Sequence, residues 1–566
     1  MQRIILSLLI VLVTGCQTLP GSGPSSKPPP PYDELATAIA VGEDVDAAVL
    51  RESFIALPDT SERLQEIVEL ERQALVLLAD EPLRLGAIGN AIIELNYASL
   101  TGHLALQRFY SHLDSTEAAA HHAMWLERLQ RLIEQTDGEI DSPHRVFSSA
   151  EAEAYLKSRE LELVGSMYHS REDFPFMLLT AAKPKTSANA EGAAQIEQRL
   201  RNSYFDLSDA YRAAEAAIET NPTNEEFSPG VLIGYLAQQG DTAAQVFIGA
   251  YYASEGRTDD AIQWLSAASQ RGNLIANLML ARAYWAKTDT SSGANRENFR
   301  QLMLDNYTHA IALGSDEAMF LLGSIYLTGE FGEENQVTGV ALLEQSAGLE
   351  NPSSALSLAH MHYRGQVVDK NLDTAEQYFF DAATFGSRRA RMQYARFLLD
   401  PANEREFKDQ ALIWLEELAG EDDPEAMIML GNLHARGVGV SQNHAQALSW
   451  FKSAVSTNET DANIVNEVAW TLTVTHMPTL RNESYALKIM DRMMNADGNT
   501  NARNNPAYLD TWAAAYAANG EFNKAIELQK QALAFAKEQQ QIQDLSELEE
   551  HLQTFSEQGT VTNQVP

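Results

Sequence analysis

One sequence template returns six times between residues 244 and 434, and that recurrence leaves few folds open. Each copy starts with Ala, runs three residues to Leu-Gly, and reaches Tyr after two more. The clearest copies are Ala244-Ile248-Gly249-Tyr252, Ala318-Leu322-Gly323-Tyr326 and Ala426-Leu430-Gly431-His434. Looser copies are Ala276-Leu280-Ala281-Tyr284, Ala355-Ala359-His360-Tyr363 and Ala390-Tyr394-Ala395-Leu398. Starts lie roughly 36 residues apart, the period of a helical solenoid. A second template follows within each copy: a bulky residue, Ala four later, then a turn. It reads Trp264/Ala268/Gly272, Tyr378/Ala382/Gly386 and Trp450/Ala454/Asn458. Spacings of three and four put these residues on one helix face. Small residues let two helices approach closely, and the bulky residue fills the space between copies. Gly272, Gly314 and Gly386 sit where a helix must stop and reverse, a place that favours tolerance of positive φ.

These residues resemble the Sel1-like repeat family, a relative of the tetratricopeptide repeat. The sixth copy, from Ala426 to Val455, is the most similar, and its Gly437-Val438-Gly439-Val440 resembles the family's inter-helix loop. That loop lacks the following lysine of a phosphate cradle, so it reads as a turn. The resemblance implies a right-handed α-solenoid over residues 230–460. An insertion near Thr288 to Asn295 is expected to lengthen the loop of the second copy. A tetratricopeptide-like continuation covers 461–537, carried by Leu509-Trp512-Ala513-Tyr516 and Gly520-Phe522-Ala525-Ala532. Residues 538–566 read as a capping helix and polar tail.

Ahead of the repeats, residues 33–150 show helical apolar spacing, as in Leu64, Ile67, Val68 and Leu126, Leu129, Leu132. Residues 151–229 differ. Short apolar runs at Leu161–Tyr168, Pro175–Ala181 and Ser203–Leu207 read as strands of a small α+β insert or hairpin, with a loop at Lys183–Gly192.

The N-terminus carries an address. Arg3 precedes an apolar run from Ile4 to Val13, and Val13-Thr14-Gly15-Cys16 follows, with Cys16 the chain's one cysteine. A positive start, a short apolar run and small residues make a secretory signal, too short to span a bilayer. A cysteine at the cut resembles the lipobox of bacterial lipoproteins. That resemblance implies a signal peptide over 1–15 and an acylated Cys16. Gln17, where enterobacterial lipoproteins retained at the inner membrane carry Asp, implies an outer-membrane address. Residues 16–32, rich in Pro, Gly and Ser, form a tether.

The 566 residues carry 78 acidic and 41 basic side chains, a formal net charge of −37. Such acidity opposes nucleic acid and anionic lipid head groups. No catalytic constellation emerges, and no cofactor is expected. The 13 histidines are scattered; His121-His122 point apart on a helix, and His360 stands where the template has Gly. No metal site is expected.

In this repeat superfamily the first helices line a concave face that suits an extended partner. Template counting places Arg282, Trp285, Phe320, Arg364, Arg389 and Arg396 in that groove, near Met361 and Met392. Arginine grips carboxylates in bidentate fashion and aromatics anchor. The alternative is that these arginines pair with acids on adjacent helices. The expected function is a non-enzymatic, lipid-anchored periplasmic scaffold for envelope proteins at the outer membrane. Lipidated repeat proteins of this style resemble assembly factors of polysaccharide-secretion complexes, such as the alginate-export lipoproteins. The rival readings are a binder of an anionic glycan or peptidoglycan fragment, and an enzyme whose site lies in the N-terminal region.

Overall fold

The computed structural model describes residues 29–185, 199–219, 228–457, 461–496, 500–539 and 545–562. Cys16, the apolar run before it and the tether up to residue 28 lie outside the described residues, as does most of the expected 183–192 loop. The chain forms two compact units, one ending at Asn351 and one starting at Pro352.

The first unit opens with six helices: α1 (Tyr32–Ala40), α2 (Ala47–Ile55), α3 (Thr60–Asp80), α4 (Leu85–Leu95), α5 (Leu100–His112) and α6 (Thr116–Ile133). Then come β1 (His144–Arg145), α7 (Ser149–Ser158), β2 (Leu161–His169), β3 (Met177–Pro184), β4 (Arg201–Asp206) and α8 (Ser208–Glu219). The unit ends in α9 (Pro229–Gln238) and three helix pairs: α10 (Thr242–Ser254) with α11 (Thr258–Ser269), α12 (Leu274–Thr290) with α13 (Gly293–Ala312), and α14 (Asp316–Leu327) with α15 (Glu333–Gly348).

The second unit continues the pairing. It holds α16 (Pro352–Arg364) with α17 (Leu372–Thr384), α18 (Arg388–Leu399) with α19 (Asp409–Gly420), and α20 (Pro424–Arg436) with α21 (His444–Thr457). After these come α22 (Ala462–Val474), α23 (Glu483–Asn495), the short α24 (Thr500–Arg503), α25 (Pro506–Ala518), α26 (Phe522–Glu538) and a last helix, α27 (Leu545–Ser556). Each unit is thus built chiefly of the expected helix pairs, with one small sheet inserted in the first.

In five of the six copies the first helix is started by a polar residue three positions before the template Ala. Asp241, Asn273, Ser315, Ser387 and Asp423 accept the backbone N–H of Ala244, Ala276, Ala318, Ala390 and Ala426 at 2.9–3.3 Å. Such a cap satisfies a donor that the helix leaves open. The template's small residues then sit where two helices touch. A Cβ on Gly323 would lie 3.0 Å from the Gly339 carbonyl, and one on Gly339 would lie 2.9 Å from the Gly323 carbonyl. Likewise Gly431 lies against the ring of the fully buried Phe451. Gly437 and Gly439 both adopt positive φ, which lets the loop after α20 reverse in few residues.

One expectation is corrected. The insertion in the second repeat does not lengthen its loop. It extends both helices, so that α12 and α13 have 17 and 20 residues and only Ser291 and Ser292 stand between them. The extra turns pack on each other: Tyr284 stacks on Phe299, and Lys287 lies over the same ring. Packing of those rings holds a polar stretch helical where local composition reads as loop.

The three expected strands, joined by an unexpected β1 at His144–Arg145, form a four-stranded sheet of order β1-β4-β3-β2, antiparallel except for the β1–β4 pair. It packs on both faces. Tyr168, Leu178, Ala182 and Phe205 join the core of the N-terminal helices. Val164 and Ala181 join a second core with Leu274 and Leu278 of α12. Asn273 also donates its side-chain amide to the Ser166 carbonyl at 2.9 Å. The sheet therefore seats the N-terminal helices against the first repeats.

Candidate binding surface of the repeats and buried polar centres

Six residues were expected to share a groove. The structure divides them: Arg282, Trp285 and Phe320 belong to the first unit, and Arg364, Arg389 and Arg396 to the second. Trp285 is half-buried against the core that contains Leu274, Met303 and Tyr307, and Phe320 is half-buried on α14. The two methionines placed nearby are core residues, with Met361 at 9% and Met392 at 6% exposure. Leu278 and Ile428, from the slot two before the Leu-Gly pair, are buried as well.

The arginines follow a register. Arg282 of α12 pairs with Glu317, and Arg396 of α18 pairs with Glu425 at 2.7 Å. In both steps the sixth residue after one template Ala meets the residue just before the next. The same register between α16 and α18 offers Met361 and Arg389, so no carboxylate stands opposite Arg389. The other arginines of α18 all have one: Arg388 with Asp423, Arg391 with Glu417 and Arg396 with Glu425. Arg364 and Arg389 are exposed and have no carboxylate partner among the described residues.

Between them lies His360. It packs edge-on against Phe379, ring centroids 5.1 Å apart, and its Nδ1 is buried without a hydrogen-bond partner. Burial first, then the charges of Arg364 and Arg389, lower its pKa. His360 is thus a neutral wedge between helices, flanked by two unneutralised cations.

Titratable groups do converge in the N-terminal region, but inside a closed core. Arg51 of α2 forms a bidentate pair with Glu151 of α7, at 2.8 and 3.0 Å. The Phe147 backbone N–H also donates to Glu151, and the Arg51 guanidinium lies 3.8 Å from the Phe147 ring centroid. Beside this pair Glu71 of α3 accepts from Ser148 and Ser99. Burial, with the neighbouring Glu151 charge, raises the Glu71 pKa to about 7. Arg51, Glu71 and Glu151 are each under a tenth exposed. The arrangement ties α2, α3, α5 and α7 together. Nothing in the sequence signalled it, because its members are 100 and 77 positions apart along the chain.

A second buried centre is made of histidines. His103 lies 3.0 Å from His122, Nδ1 to Nδ1, and its Nε2 lies 2.8 Å from the Tyr97 carbonyl. A carbonyl only accepts, so His103 Nε2 carries its proton and His122 Nδ1 must donate to His103 Nδ1. His121 points away, to the Tyr97 hydroxyl, so the adjacent histidines do diverge. No group of three or more His, Cys, Asp or Glu side chains suited to a metal ion occurs among the described residues. No helix among them is long and apolar enough to cross a membrane.

Comparison with known proteins agrees with this geometry at the level of the repeat. The Sel1 repeat family matches residues 316–351, 352–384 and 424–456, and those segments are Sel1-like repeats. The elongated α12–α13 pair and the α18–α19 pair fall outside the matches. No curated protein matches the chain significantly. Among solved structures, a protective antigen of uropathogenic Escherichia coli with an SLR fold shares 20% identity over 58% of this chain and 72% of its own, with a TM-score of 0.38. A Sel1 repeat protein from Oxalobacter formigenes shares 16% identity over 55% of this chain and 90% of its own, with a TM-score of 0.39. Yeast Tom70 shares 12% identity over 86% of this chain and 96% of its own, with a TM-score of 0.30.

Proposed function

We propose that this Sel1-like repeat protein is a non-catalytic scaffold, exported, acylated at Cys16 and held at the periplasmic face of the outer membrane. There its repeats seat envelope proteins during assembly of an envelope or polysaccharide-secretion complex. Helix-pair repeats present stable faces of first helices to partner chains, which supports the scaffold reading. The observation that carries it furthest is the pair Arg364 and Arg389. In a chain with 78 acidic and 41 basic side chains, both guanidinium groups are exposed with no carboxylate partner among the described residues, and both act on the same half-buried His360. Such groups suit an acidic segment of a partner, which arginine recognises through paired N–H donors.

The test is in-cell crosslinking followed by affinity purification, comparing wild type with Arg364→Glu/Arg389→Glu and with Arg396→Glu. A defined set of envelope proteins is expected with wild type and Arg396→Glu, and its loss with the double variant. The same set with all three proteins removes Arg364 and Arg389 from the partner site. Cys16→Ser is expected to abolish metabolic labelling by a palmitate analogue and to release the protein from the membrane fraction. Retained label would refute acylation at Cys16.

A further inference from the structure

A cleft of about 420 Å³ opens between α17, α18 and the start of α19, away from Arg364 and Arg389. Its inner wall is Phe380 and Tyr394, and its rim carries Asp373, Glu376, Lys408 and Gln410. Three features make it a built site rather than a gap between side chains.

The first is Tyr394. It occupies the template position where the clearest copies have Leu or Ile, and it is 3% exposed. Its ring is held between Phe380 and Trp414, with centroids 5.7 and 6.0 Å away. Its hydroxyl has no protein hydrogen-bond partner among the described residues, and the side chain lines the cleft. An otherwise buried ring thus presents its one polar atom to the cleft, where a guest's hydroxyl can take the place of water. Burial and the charge of Glu376 push its pKa to about 12, which keeps it a neutral hydroxyl able to donate and accept.

The second is charge balance. Arg405 bridges Asp373 and Glu376 at 2.8 and 3.2 Å, and Lys408 adds a second cation. Two carboxylates therefore face two cations, and the cleft favours neither sign. It offers many hydrogen-bonding groups around an aromatic wall, which suits an uncharged ligand rich in hydroxyls with one apolar face.

The third is preorganisation. The connector between α18 and α19 is unusually long, yet it is fastened throughout. Asn403 donates to the Phe397 carbonyl at 2.8 Å, Ala402 N–H donates to Asp400, Arg405 reaches α17, and Phe407 packs on Gly439. A rim held in place costs little to order on binding.

We infer that this cleft is a subsite for a neutral sugar ring, which lays its apolar face on Phe380 and hydrogen-bonds to Tyr394, Gln410 and the rim carboxylates. The inference is independent of the scaffold reading, because partner capture through Arg364 and Arg389 uses other residues.

Saturation-transfer difference NMR on the full chain, with glucose, N-acetylglucosamine and glucuronate as probes, tests it. Transfer to the ring protons of at least one neutral sugar is expected, with weaker transfer to glucuronate. Trp414 emission should titrate with the same dissociation constant. Tyr394→Phe, which removes one hydroxyl from a packed ring, is expected to weaken binding about fivefold with an unchanged melting profile. Gln410→Ala should weaken it similarly and does not touch the core. Absence of transfer to both neutral sugars, preference for glucuronate, or equal binding by wild type, Tyr394→Phe and Gln410→Ala would each overturn the assignment.

Discussion

Glu71 and the His103–His122 pair respond to pH in opposite directions, and both responses follow from burial. Burial and the Glu151 charge raise the Glu71 carboxyl from its usual 4.5 to about 7, so the folded chain holds a proton that the unfolded chain releases. The favourable contribution is complete below pH 4.5 and is lost as pH climbs through about 7. Glu71→Gln keeps the shape of the protonated acid and has nothing to ionise. It is expected to raise stability at pH 8 by roughly 1–3 kcal/mol and to flatten the alkaline side of the profile, as read by urea unfolding across pH. Lower stability of the variant at pH 8 would refute a protonated Glu71.

The histidines behave inversely. Burial is the main cause holding His103 at about 3 and His122 at about 4, below the usual 6.5. The folded form is neutral, so its stability is full above pH 6.5 and falls as acid protonates the unfolded chain first. His122→Asn keeps an N–H near the His122 Nδ1 position, and it removes one titrating group. It is expected to cost about 1 kcal/mol at pH 7.5, from the lost ring stack on Tyr110, and to show a shallower decline towards pH 4.5. An unchanged acid slope would show that His122 does not carry this effect.

At the scale of helices, close backbone approach outweighs the ion pairs that join successive repeats. Arg396 and Glu425 are each about half exposed, at 51% and 58%, so water and salt screen their attraction. Arg396→Ala is expected to change stability by less than about 0.5 kcal/mol. Gly339→Ala, by contrast, places a methyl 2.9 Å from the Gly323 carbonyl and must push α14 and α15 apart. A loss of about 1–3 kcal/mol is expected by thermal or urea unfolding. The reverse ranking would mean that charge, rather than packing, holds the repeats. Caps matter at this scale too. The structure adds a polar residue three before five of the six template alanines, Asp241, Asn273, Ser315, Ser387 and Asp423, to a repeat pattern read from apolar and small residues alone.

Across the whole molecule the net charge of −37, what is left once every cation is counted, repels itself. Added salt screens that repulsion over a Debye length of about 10 Å at 0.1 M. The unfolding midpoint is therefore expected to rise between low and physiological sodium chloride, whereas a chain stabilised mainly by surface ion pairs would soften. A midpoint that falls with salt would contradict the balance described here.

The sequence by itself determined the repeats. Ala, Gly and bulky residues recur because every copy must bury the same face against its neighbours, and that requirement is local enough to print a period of about 36 residues. The three strands after Leu161 were legible for the same reason, since their apolar runs are short and contiguous. Tertiary structure decided everything that depends on which distant residue arrives opposite. Arg282 and Arg396 became inter-repeat pairs and Arg389 did not, because register set Glu317 and Glu425 opposite the first two and put Met361 at the place equivalent to theirs. The insertion after Thr288 became helix because Tyr284 and Phe299 found each other. The Arg51–Glu151–Glu71 network and the His103–His122 pair left no local pattern at all. Burial in a shared core, which no spacing encodes, is what gives those groups their shifted protonation.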